Sequence, residues 1–204
     1  MASFDSALFS WKSNGYKGST AVILGVGGAV GTVLIDGFAS AGMKVAIVSR
    51  TQSKLDDIAK KANEKLGLGT VQAFSFDLSD TGGVSALFDK IEASMPPIKA
   101  VHYNAVAATL GYDATAETIA KSCAINFGTV WSAFGAMLPR WKGKGGVFSM
   151  SGGSFDANGA YSAGFGLQFG SAQKAFMKNF AESISATFSA DGIHVCDLQI
   201  ASLV

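Results

Sequence analysis

Between Ala21 and Gly31 the sequence reads AVILGVGGAVG, a short apolar run that ends in glycines and passes into a helical pattern. A strand–turn–helix of this kind receives a dinucleotide pyrophosphate. Gly25 and Gly27 permit a tight turn and a close backbone approach to phosphate. Gly31 lets the first helix pack close to the strand. The helix N-terminus then offers unpaired N–H groups and a positive dipole end to the anion. A plain tight turn with no ligand also fits this stretch, so the rest of the chain decides. The next apolar strand, Lys44 to Val48, is followed by Ser49-Arg50. An acid there would bind the ribose 2′-hydroxyl of NAD, whereas a basic residue receives the 2′-phosphate of NADP. Arg50, with no acid in its place, favours NADP(H) over NAD(H).

Three more strand ends carry polar or small residues. Asp77-Leu78 closes the third strand, Thr70 to Phe76. Asp77 can accept a hydrogen bond from an adenine amino group, or it can cap the next helix near Thr81. Asn104-Ala105-Val106 follows the fourth strand, Ala100 to Tyr103, and its small residues let the backbone pass close to a cofactor ribose. Ser151-Gly152-Gly153-Ser154 follows the fifth strand, Gly145 to Met150. Two helices add further groups. Asn126 interrupts the apolar face of a long helical stretch, Ala114 to Leu138, and a buried amide there needs a partner. Lys174 sits on the first half of a helix from Phe169 to Ala190.

The elements that must position these residues alternate strictly between strand and helix. The remaining helices are Ala29 to Ala41, Thr51 to Leu66 and Val84 to Ala93, and the sixth strand is Ile193 to Leu198. Such alternation predicts an α/β fold, a single doubly wound parallel sheet of the Rossmann type with helices on both faces. Residues 1–17 read as an N-terminal extension with a small apolar set, and residues 18–204 as one nucleotide-binding domain.

The chain of 204 residues is 49% hydrophobic and only 15% charged, against an ordinary charged share of about 25%. A Gly/Ala-rich core accounts for this, and so does a surface covered by a partner subunit. The formal net charge of +1 points away from nucleic acid and anionic membranes. No run is long enough for a transmembrane helix, and the first twenty residues lack a secretory pattern. Cys123 and Cys196 read as buried small hydrophobes in a reducing compartment, either the cytoplasm or an organelle matrix or stroma. With His102 and His194 they do not make a metal site at these spacings.

Taken together, these residues resemble the short-chain dehydrogenases/reductases over Tyr16 to Leu203. The resemblance rests on the glycine turn, Arg50, Asp77-Leu78, Asn104-Ala105, Asn126, Pro139 and Lys174, with Gly192-Ile193-His194-Val195 downstream. It implies an NADP(H)-dependent oxidoreductase acting on a carbonyl or alcohol, a small-molecule substrate, and homo-oligomers built on the helices around Asn126 and Lys174. The family's catalytic set is Asn, Ser, Tyr and Lys. Asn126 and Lys174 stand at the matching positions, with Asn126 ordering a proton-relaying water and Lys174 holding the nicotinamide ribose.

The departures are specific. Ala29 and Leu24 replace a usual glycine and threonine of the turn. The family's Tyr lies four residues before the Lys, on the same helix face, where the ammonium lowers its pKa for acid–base work. Here that residue is Gly170. Tyr161, in AYSAGF, is the candidate substitute, either reaching the site from a loop or packing against the domain as an ordinary loop residue. The serine position aligns with Gly152, so Ser151 or Ser154 serves only by a shift. Ile200-Ala201 replaces the usual Pro-Gly turn, and the chain stops three residues later, so the expected form is C-terminally truncated relative to the family. Loss of one positioned acid–base group costs about 10²–10⁴-fold, so the expected catalysis is weak. The alternative is a non-catalytic accessory or structural subunit of a larger assembly, with or without bound NADP(H), whose partner could cover the open sheet edge.

Overall fold

The structure is a computed structural model and describes residues 15–107, 114–153 and 168–200. Six parallel strands form one sheet in the order β3-β2-β1-β4-β5-β6. They are β1 (Thr20–Leu24), β2 (Lys44–Ser49), β3 (Val71–Ser75), β4 (Ile98–Tyr103), β5 (Gly146–Ser151) and β6 (Ile193–Leu198). The helices are α1 (Gly28–Ser40), α2 (Gln52–Leu66), α3 (Val84–Glu92), α4 (Ala116–Cys123), α5 (Thr129–Trp141) and α6 (Gln168–Phe188). The chain winds outward from β1 to β3, then returns to start β4 on the other side of β1. This reversal opens a crevice at the C-terminal ends of β1 and β4, the usual ligand site of such sheets.

Apolar residues on both faces of each strand force cover on both sides. On one face Ile23, Val45 and Ile47 pack under Ile35 of α1 and Leu55 of α2. On the other, Val22, Leu24, Val101 and Phe148 meet Phe88 of α3, Phe134 of α5 and Phe180 of α6. Arg140 ties α5 to α3 through Asp89 and Glu92, at 2.6 Å each. The indole of Trp141 is buried and donates to Ile98 O at 2.9 Å. Tyr16 and Phe38 cover a smaller patch of Ala21, Met43, Ala100 and Val147. No helix among the described residues is long and apolar enough to cross a membrane.

Two expectations are corrected. The helix expected over Ala114 to Leu138 is not continuous. A π turn, Ala124–Gly128, separates α4 from α5. The N–H of Thr129 reaches back five residues to Ala124 O. The widened turn leaves Ile125 O to the hydroxyl of Tyr103 and places Asn126 at 0% exposure. The two cysteines are not both buried: Cys123 is half-buried and Cys196 exposed. On β6, Ile193 and Val195 are buried and His194 and Cys196 are exposed, because α6 covers only one side of this edge strand.

Gly146 lies directly under the Trp141 ring, which an added Cβ would overlap. Gly135, on the exposed side of α5, has nothing within 4 Å of its Cβ position. Gly146→Ala is therefore expected to cost ~1–3 kcal/mol by overpacking, whereas Gly135→Ala should gain up to ~1 kcal/mol of helix propensity. Urea unfolding with unchanged slope checks both. Equal midpoints for the two variants would contradict the packing described.

Candidate functional site

The β1–α1 turn forms the floor of the crevice. Gly25 has φ +93°, and a Cβ there would stand 2.5 Å from both Cα and N of Ala105. Only glycine permits this approach. Asn104 locks it, its N–H donating to Leu24 O at 2.8 Å and its Nδ2 to Gly25 O at 2.8 Å. Gly31 comes within 3.2 Å of the Val26 side chain at its Cβ position, the close helix–strand packing expected of it. Gly27 is the N-cap of α1, with no side-chain cap bond, and the first turn holds no acid. Its first N–H groups thus face the crevice without side-chain partners. Gly27 and Gly28 have open space where a Cβ would be. This is an anion cradle made of backbone.

The crevice is a cleft of about 960 Å³, lined by the glycine turn, Arg50, Asp77, Leu78, Asn104 to Ala107, and Glu117, Thr118 and Lys121 of α4. Arg50 lies exposed at the end of β2, and its carbonyl accepts from the Ser75 hydroxyl at 2.9 Å. Asp77 Oδ1 accepts from the N–H and the hydroxyl of Ser79, both at 2.9 Å. These bonds, with smaller contributions from Lys121 and Arg50, hold the carboxyl below its usual range. Asp77 thus closes a turn ahead of α3 with Oδ1 and lines the cleft as well. Leu78 is buried, and its carbonyl accepts from Thr129.

Beyond Ala105 the site becomes more buried and more polar. Asn126 Oδ1 accepts from Ala107 N at 2.9 Å, while its buried Nδ2 has no hydrogen-bond partner among the described residues. Lys174, half-buried on α6, donates to Ser151 O. Burial lowers its pKa, against the opposing charge of Asp197. The Ser151 hydroxyl lies 2.8 Å from Asn104 Oδ1 and 2.9 Å from His102 Nε2. His102 Nδ1 is 2.8 Å from the Ser149 hydroxyl. The imidazole is fully buried. Desolvation, then the charge of Lys174, lowers its pKa from 6.5 to about 4.

The structure thus brings Asn104, Ser151 and Lys174 into one network and sets Asn126 behind Ala107. Ser154 and Tyr161 lie outside the described residues. Gly170 supplies no proton, and nothing lies within 4 Å of its Cβ position. At Gly152 the volume of a side chain is taken by the Asp197 carboxylate. Gln173, fully buried beside Lys174, donates to Ala105 O at 3.4 Å. His102, Gln173 and Asp197 were not singled out as site residues from sequence. For His102 and Asp197 a signal existed, since each is a strongly polar side chain in the C-terminal half of a strand.

The short chain dehydrogenase family matches residues 19–202. A very-long-chain 3-oxoacyl-CoA reductase of Anas platyrhynchos is 29% identical over 188 residues, 87% of this chain and 57% of that protein. The chain therefore spans little more than half the length of this curated relative. Among solved structures, a short-chain dehydrogenase of Sphingobium yanoikuyae in complex with NADPH superposes with a TM-score of 0.76 at 22% identity, covering 91% of this chain and 72% of that one. A short chain oxidoreductase of Pseudomonas aeruginosa PAO1, with bound NADPH and an atypical catalytic center, gives 0.76 at 18% identity, covering 88% and 69%. Both likenesses are of fold.

Two measurements probe the buried half of the site. Gly152→Ser should lower stability by ~1–3 kcal/mol through overpacking against Asp197, and Asp197→Ala in the same chain should relieve it. Equal melting temperatures for wild type and Gly152→Ser would contradict the contact. His102 has a lower pKa in the fold than its ordinary 6.5, so between the two values the unfolded chain binds more protons. Its contribution is complete above about pH 6.5 and is lost as pH falls through about 4. The stability gap between wild type and His102→Gln should therefore narrow by up to ~3 kcal/mol over that range.

Proposed function

The chain belongs to the short chain dehydrogenase family, and on that premise we propose that it is an NADP(H)-binding oxidoreductase of a carbonyl or alcohol substrate. The observation that carries this reading is the pairing, in one cleft, of an uncapped glycine-rich helix N-terminus with Arg50. The first suits a pyrophosphate and the second a 2′-phosphate. Open space at Gly27 and Gly28 is where backbone and phosphate would meet. Asp77 and Leu78 border the adenine end. Asn104 and Ala105 form the floor under the nicotinamide ribose, whose hydroxyls Lys174 would hold. NADP(H), when bound, supplies the hydride equivalent for carbonyl–alcohol interconversion.

The chain's own groups then handle the substrate oxygen and its proton. Asn126 Nδ2 is buried without a protein partner among the described residues, and we assign to it the ordering of a proton-relaying water. Lys174, with its pKa lowered by burial, gives up a proton more readily than a surface lysine. The Ser151 hydroxyl already touches His102 and Asn104, so we assign Ser151 to holding Lys174 through its carbonyl. Tyr161 is our candidate for the hydroxyl that meets the substrate. Gly170, at the family's tyrosine position, favours a second reading: a subunit that binds NADP(H) and turns over slowly or not at all. Trp131 of α5, 64% exposed and edge-on to Phe180 of α6 at 5.7 Å, marks where we would place self-association.

Calorimetry with NADPH and NADH tests the cofactor reading directly. Arg50→Ala should weaken NADPH binding by about 10–100-fold, the worth of charge-assisted hydrogen bonds to phosphate, and leave NADH nearly unchanged. Lys174→Ala should weaken both. Binding of neither nucleotide by the wild type would sink the oxidoreductase reading. Tight NADPH binding without reduction of any carbonyl in a broad screen would select the non-catalytic one.

A further inference from the structure

We propose that His102 is a positioning residue for the cofactor site: an imidazole carrying its proton on Nε2, from which a one-way chain of hydrogen bonds runs through Ser151 and Asn104 to the carbonyl of Gly25. The inference rests on the reading of the cleft as a nucleotide site, and it adds a residue that neither the glycine turn nor the Lys174 helix contains.

The direction of the chain follows from its far end. Gly25 O can only accept, so the Asn104 amide must present Nδ2 to it, at 2.8 Å. Turning the amide over would set two oxygens against each other. Oδ1 is then the atom 2.8 Å from the Ser151 hydroxyl, and it too only accepts. A serine has a single proton, and this one is spent on Asn104. Toward His102, Ser151 can therefore only accept, so Nε2, 2.9 Å away, carries a hydrogen. A neutral ring has one N–H. Nδ1 is then the acceptor for the Ser149 hydroxyl at 2.8 Å. Complete burial of the ring, with Lys174 nearby, opposes a second ring proton. Every proton from Ser149 to Gly25 is thus assigned.

Ser151 is the junction. Its hydroxyl belongs to this chain, and its carbonyl accepts from Lys174. The imidazole thus orients a residue that touches both the support of the glycine turn and the lysine anchor. Its ring also meets Phe38 of α1 with centroids 6.4 Å apart, on the helix whose N-terminus forms the anion cradle. His102 and Ser149 are paired neighbours on β4 and β5, with Ser151 two residues further along the same side. An apolar residue at 102 would leave two buried hydroxyls facing it, and Ser151 would be free to turn from Asn104.

The test uses the whole chain with His102→Leu and His102→Gln, the latter able to donate from its side-chain N–H to Ser151. Imidazole nitrogen NMR of the wild type should show the Nε2–H tautomer, unchanged from about pH 6 to pH 9. By calorimetry, the leucine variant should bind NADPH and NADH about tenfold more weakly, as for one buried hydrogen-bond partner lost, and glutamine should restore much of it. Ser151→Ala should match leucine, and it replaces leucine in the comparison if that variant does not fold. A Nδ1–H tautomer would overturn the proposal. So would a folded leucine variant, or Ser151→Ala, with wild-type dissociation constants and only a lower melting temperature, the mark of a merely structural histidine. A wild type that binds neither nucleotide removes the cofactor reading itself, and the positioning role with it. That failure is distinct from intact binding that ignores position 102.

Discussion

The backbone of Gly25 runs so close to Ala105 that a Cβ would stand 2.5 Å from its Cα, and the geometry of the crevice depends on this approach. It joins the first strand of one half of the sheet to the first strand of the other, at the point where strand order reverses. The approach sets where α1 begins, and so where its unpaired N–H groups point. It also decides where Asn104 can reach. Because Asn104 spends its N–H groups on Leu24 O and Gly25 O, the two strand ends cannot drift apart without leaving buried polar groups unpaired. Such groups cost about 1–3 kcal/mol each.

The site has two halves of different character. One half is built of backbone, a helix end and exposed Arg50. The other half is built of particular side chains, and there two of the family's positions are glycine. They are not equivalent. Gly170 leaves open space, whereas Gly152 is filled by Asp197. The charge of that carboxylate acts on Lys174 against the effect of burial, so the polarity of this half is rearranged rather than removed.

Much of this was legible in the amino-acid order. Continuous apolar runs marked the strands, glycine clustering marked the β1–α1 turn, and Arg50 declared itself by standing where an acid would otherwise be. These signals are local, and local spacing is what a sequence displays directly. The π turn was not legible in local spacing, and the buried Asn126 within it meets a partner, Ala107, nineteen positions earlier. The exposure of Cys196 was hidden for a similar reason, since alternation along β6 does not say which side α6 covers. From the amino-acid order, His102 is weighed only as a metal ligand and set aside. Its partners, Ser149 and Ser151, come from another strand through the register of β4 on β5.

The π turn also changes the phase of the chain. Successive residues of an α-helix advance by about 100°, so one residue added within a turn rotates everything before it by that angle relative to everything after. Ahead of the turn, Glu117, Thr118 and Lys121 of α4 line the cleft. After it, Val130, Phe134 and Met137 of α5 lie in the core. In unbroken phase these two sets of residues would lie on nearly opposite sides of the helix, and the extra residue brings them about 100° closer. The extra residue lets α5 keep its stripe in the core while α4 turns Glu117, Thr118 and Lys121 to the cleft.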